Sequence, residues 1–124
     1  MPTVVLIGVA GSLGALSRYW VEGIVSRRFP GVFPLGTFVV NVSGAFALGL
    51  LFTLMTERFM ISPQLRTATT IGFLGAYTTF STLSFETLRL IQDGAYLAAV
   101  ANGLGTMVIG LGAVYLGIVL GRAI

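Results

Sequence analysis

The chain contains no cysteine, no histidine and no lysine. Disulfides and thiolate chemistry are therefore excluded, and so are imidazole metal ligands and histidine acid–base catalysis. Charge is scarce as well: Asp, Glu, Lys and Arg make up 9% of the residues, against about 25% in an ordinary soluble domain. Seven arginines stand against four acids, for a net charge of +3. They are scattered, and no basic run or aromatic-interleaved patch suggests a nucleic-acid partner.

What is present is apolar. Of 124 residues 56% are hydrophobic, and the mean hydropathy is +0.97, values of an integral membrane protein. Met1 to Ser17, Leu35 to Thr56, Thr67 to Phe85 and Gly94 to Gly121 carry no charge at all, and each approaches or exceeds the ~18 to 20 residues that cross a hydrocarbon core. The first lacks the basic start of a cleaved signal and continues through Tyr19 and Trp20, so it reads as a span. The expectation is one all-α membrane domain over residues 1–124, with spans near 3–25, 35–56, 65–90 and 95–121, in the cell's inner (plasma) membrane. With loops this short, the protein must act inside the bilayer.

The third stretch is the unusual one. Gly72 to Phe85 reads Gly-Phe-Leu-Gly-Ala-Tyr-Thr-Thr-Phe-Ser-Thr-Leu-Ser-Phe, two glycines followed by a run of hydroxyls. Glycines and adjacent Thr78 and Thr79 weaken a helix, and carbonyls left without intrahelical donors survive in a bilayer only where protein or water takes them up. The segment reads as an interrupted third helix lining a site. Carbonyls freed at Gly75 and Thr78 are of the kind that coordinates a cation at unwound membrane helices.

The remaining polar residues divide into depth and edge. Asn41, Asn102, Thr106, Thr78, Thr79, Ser81 and Thr82 lie at depth, and all are neutral. Asn41 either makes an interhelical hydrogen bond or offers its amide to an anion. Phe80 is either a packed ring or one that turns its electropositive edge to an anion. Arg18 either snorkels to headgroups or draws anions into a vestibule, and Glu22 is placed to pair with it at i+4. Neutral donors suit a small anion, because they replace hydration without trapping the ion. No carboxylate sits mid-span, which disfavours a proton-coupled multidrug-type transporter. A non-conducting assembly subunit is the third reading.

Arginine placement bears on topology. Four spans put Arg58, Arg66 and Arg122 on one side and Arg27, Arg28 and Arg89 on the other, with Arg18 just inside. Three face three or four, so the positive-inside rule has almost nothing to act on. Insertion in both orientations, and an antiparallel dimer, is the expectation.

Three motifs in order resemble the signatures of the CrcB/Fluc fluoride channels: Gly11-Ser-Leu-Gly-Ala-Leu-Ser-Arg-Tyr19, Gly36-Thr-Phe-Val-Val-Asn-Val-Ser-Gly44, and Gly72 to Thr82 followed by Glu86-Thr87. The resemblance spans all four helices. It implies a dual-topology homodimer with two pores, passive fluoride export, and a central structural sodium ion held by backbone carbonyls. By position, Gly75 and Thr78 would supply those carbonyls, Asn41 the pore amide and Phe80 the first pore ring. Ser81 and Thr82 would make polar pore contacts, and Thr106 matches a hydroxyl of the fourth helix. Two positions depart: Leu83 stands where the family carries a second ring, and Asn102 stands where a tyrosine is often found.

Overall fold

A computed structural model describes residues 2–124, and among these every regular element is helical. Helix α1 is Thr3–Arg28, entered from Pro2 and ended at Phe29. The Pro30 to Pro34 connector carries no helix, since its prolines lack the N–H that would extend one. Helix α2 is Leu35–Arg58. Helix α3 covers 63–77 and opens as its sequence requires, with Pro63 in the first turn and Ser62 Oγ accepting the Leu65 N–H at 3.3 Å. Helix α4 is Phe80–Gln92. Gly94, at φ +78°, turns the chain into α5, Tyr96–Ala123.

Helices α1, α2 and α5 are each long and apolar enough to cross a membrane. Residues 65–90, expected as the third span, are not one rod. Thr78 (φ −86°, ψ 159°) and Thr79 (φ −148°, ψ 113°) are extended and separate α3 from α4.

Three stretches are wound as π-helix: Leu54–Arg58, Ala68–Leu74 and Ala101–Gly105. Threonines flank or occupy the first two. Thr56 donates to the Phe52 carbonyl, Thr69 to Leu65 and Thr70 to Arg66, at 2.7 to 2.9 Å. A hydroxyl bonded to the i−4 carbonyl competes with the backbone donor for that oxygen and opens the turn.

The packing fixes relative direction. Gly14 lies against Phe73 and Arg18 reaches Ala76, so α1 and α3 run parallel. Gly49 meets Val114 and Gly121 meets Thr53, so α2 and α5 run parallel too. The α1–α2 hairpin is antiparallel, with Gly36 set against Glu22 and Ser26. At one end Arg122 holds Glu57 through two bonds of 3.1 and 3.3 Å, and Arg58 donates to the Ile124 carbonyl. The interior is thin: the largest fully buried side chains are Val40 and Asn102, while Leu97, Val4 and Phe80 are over three-quarters exposed. Apolar side chains turned outward in this way are what lipid, not water, solvates.

Candidate functional site

The break between α3 and α4 is built by side chains from two other helices. In a continuous helix the Thr79 N–H would donate to the Gly75 carbonyl. Here it donates to Asn41 Oδ1 at 2.8 Å, and Asn41 Nδ2 donates back to the Thr79 carbonyl at 3.1 Å. One amide thus mimics a strand partner and satisfies both backbone groups of an extended residue. Downstream, Thr79 Oγ1 accepts the Thr82 N–H at 3.3 Å and caps α4. That N–H would otherwise have gone to the Thr78 carbonyl. Gly75 and Thr78, the two residues singled out from sequence, are therefore among those whose carbonyls have lost their helical donors.

Further contacts pin the same turn. Arg18 Nε donates to the Ala76 carbonyl at 3.1 Å. Its expected pairing with Glu22 does not form, because the side chain is turned to the break instead, and Glu22 Oε1 stays buried without a partner. Ser43 Oγ and Tyr77 Oη are 2.9 Å apart, and Tyr77 stacks on Phe73 with ring centroids 6.1 Å apart. Gly44 leaves room for Thr78 Cγ2, which a Cβ there would overlap.

Beside the break lies a cavity of about 650 Å³ between α2, α4 and α5. It brings together Asn41, Thr78, Phe80, Leu83 and Thr106 from the sequence-derived set; Arg18, Gly75, Ser81 and Thr82 lie outside its wall. Phe80 begins α4 and is 77% exposed, so its ring is free of intrachain packing. Ser81 is exposed and Thr82 half-buried. No charged side chain lines the cavity.

Thr87 on the far wall is backed by Asn102, the one of the two that sequence reasoning placed at depth. Asn102, fully buried on the π turn of α5, donates from Nδ2 to Thr87 Oγ1 at 2.9 Å, and that hydroxyl donates to the Leu83 carbonyl at 2.7 Å. Asn102 Oδ1 and Thr106 Oγ1 are buried with no hydrogen-bond partner. Thr87 was legible only as the second residue of the Glu86-Thr87 motif. Its i+4 spacing from Leu83 is the signal that puts it on the same wall.

The groups present fit the ions the residues suggested. A hard cation takes oxygen ligands, and the freed carbonyls of Gly75 and Thr78 are such ligands. Among the described residues no cluster of three or more His, Cys, Asp or Glu offers a side-chain alternative. An anion takes donors. Thr106 lines the cavity with its unpartnered hydroxyl buried in the wall, and the Phe80 and Ser81 N–H groups stand at the positive end of α4.

Known proteins match this chain along its length. The family described as "CrcB-like protein, Camphor Resistance (CrcB)" matches residues 5–118. A protein of Geotalea uraniireducens named "Fluoride-specific ion channel FluC" is 48% identical over 124 residues, all of both chains. One of the same name from Nitratidesulfovibrio vulgaris is 44% identical over the full length of both. The Solibacter usitatus protein of that name is 44% identical over 117 residues, 94% of this chain and 96% of its own.

Proposed function

This chain belongs to the CrcB-like family, and from that premise we propose that it is a fluoride-selective channel that lets the ion leave the cell passively and so lowers its internal concentration. It is a multi-pass membrane protein whose matched relatives are named as channels, a non-enzymatic class. The observation that carries the reading is the neutral cavity wall. Its polar groups are amides and hydroxyls, with no acid or base among them. Fluoride is small and strongly hydrated, and several weak donors in series replace its water while leaving it free to move on. A multidrug-type transporter needs a carboxylate at this depth to trade a proton for a cation, and the wall has none.

The chain's own residues take distinct parts in this reading. Thr106 Oγ1 and the second proton of Asn41 Nδ2 donate to the ion, and the Phe80 ring offers its edge. Ser81 and Thr82 continue the donor series at the start of α4. Leu83 contributes only an apolar wall at the place where the family carries a ring. Arg18 lies next to the break on the side of α1.

The finer architecture follows from what one copy leaves open. Helices α3 and α4 together make an interrupted third span, as the parallel course of α1 and α3 supports. Phe80, Phe85 and Leu88 are each more than half exposed along α4, and a second, oppositely inserted copy would cover that face. An antiparallel homodimer sets two breaks against each other, and the Gly75 and Thr78 carbonyls of both copies would hold a structural sodium ion between them. The ion supplies fixed positive potential and a tie between copies.

The deciding measurement is flux from proteoliposomes loaded with fluoride and chloride, followed with ion-selective electrodes. Fast fluoride release without chloride release is expected. Uptake of a lipophilic cation against a proton gradient would establish the transporter instead, and no flux at all would establish the assembly subunit.

A further inference from the structure

Three helical hydrogen bonds are diverted at the break, and two of them are neighbours set by other helices. Asn41 takes the Thr79 N–H from the Gly75 carbonyl. One residue on, the Ala76 carbonyl would accept from the Phe80 N–H in a continuous helix. It accepts instead from Arg18 Nε at 3.1 Å, across 58 residues of sequence. Arg18 sits one turn beyond Gly14 on the same face of α1, and Gly14 is seated against Phe73, so the side chain is delivered to this carbonyl by the packing of α1 on α3. The bond uses the one guanidinium N–H that lies inside the side chain rather than at its tip.

We propose that Arg18 is a positioning residue for the carbonyls at the break, holding the Ala76 oxygen away from the Phe80 N–H so that residues 76–80 cannot close into helix. With Ala76 engaged, the peptide planes on either side stay turned, and the Gly75 and Thr78 oxygens remain available to a cation. Were Arg18 lost, the Ala76 carbonyl would recover its helical donor, and α3 and α4 would move toward one rod. The role is exerted through Ala76, and it rests on the reading of these carbonyls as a sodium site.

Two substitutions separate this from a charge effect. Glutamine has the same three-carbon stem, so Arg18→Gln keeps an N–H donor where Arg Nε now lies and removes the charge. Arg18→Lys keeps the charge and puts a methylene against the Ala76 oxygen. The readout is the sodium-dependent shift in the unfolding temperature of the purified full-length protein in detergent, titrated in sodium against N-methylglucamine, because a ligand that binds only the folded state raises that temperature.

The expected result is a sodium midpoint within about threefold of the parent for Arg18→Gln, and a midpoint raised at least tenfold or lost for Arg18→Lys. Retention in Lys alone, retention in both, or loss in both overturns the positioning role while leaving the sodium site standing. A parent protein indifferent to sodium overturns the cation site itself, and this inference with it. If Arg18→Lys does not fold, Arg18→Met, which has no side-chain N–H, takes its place with the same expectation.

Discussion

Single atoms decide what the cavity can do, and Thr106 shows it most directly. Its hydroxyl is buried without a partner, and leaving such a group unmade costs about 1 to 3 kcal/mol. Thr106→Val, which keeps the shape and removes the hydroxyl, should therefore leave the protein as stable or raise its stability by up to about 2 kcal/mol in chemical unfolding. Fluoride flux should fall severalfold in the same variant. A residue whose removal stabilises the fold and slows the ion is held for the ion, whereas unchanged flux would remove Thr106 from the path. Leu83 gives the opposite expectation. It lines the cavity next to Phe80 and is only half-buried, so a ring can be accommodated toward the open side. Leu83→Phe should preserve or raise fluoride throughput in the liposome assay, and a clear loss would show that this wall does not face the ion.

Between elements, the break depends on how closely α1 seats on α3. A Cβ at Gly14 would overlap the Phe73 carbonyl, three residues before Ala76. Gly14→Val should force the two helices apart at a cost of about 1 to 3 kcal/mol, seen as a lowered unfolding temperature. Because the same shift carries Arg18 away from Ala76, sodium dependence should weaken with it; a variant that is less stable but equally responsive to sodium would uncouple the seat from the break. Much of this element was legible in the residues: Gly72, Gly75 and the paired threonines mark where helix is weak, and Ser62-Pro63 and Gly94 mark its neighbours' ends. The agents of the break were not. That Asn41 offers both amide atoms to one threonine, and that Arg18 turns from Glu22 to a carbonyl, depends on the three-dimensional approach of three helices, which no local periodicity encodes. The π turns were hidden for a related reason. A sequence pattern reports which residues are apolar, whereas the widened turn at Asn102 is set by which backbone oxygen each donor finds, and only that choice buries Asn102 behind Thr87.

At the scale of the whole molecule, the arginines govern how many orientations the chain samples. The parallel pairs α1 with α3 and α2 with α5 place the α2–α3 loop and the end of α5 on one side, which puts Arg58, Arg66 and Arg122 opposite Arg27, Arg28 and Arg89. Orientation follows the side with more arginine in short loops, so balance implies both orientations and imbalance implies one. Arg27→Gln with Arg28→Gln leaves three arginines facing Arg89 and the inset Arg18, and a reporter at the chain end should then be found on one side only. If function needs two inverted copies, this variant alone should conduct little fluoride, since partners of the required orientation are rare. Arg58→Gln with Arg66→Gln is biased the other way and should fail alone for the same reason. Co-expression of the two should restore flux to near the level of the parent. Restoration cannot come from either chain folding better, because neither is altered by the presence of the other except as a partner. Full flux from one biased variant whose copies all share a single orientation would eliminate the antiparallel dimer, and with it the sodium ion shared across two breaks.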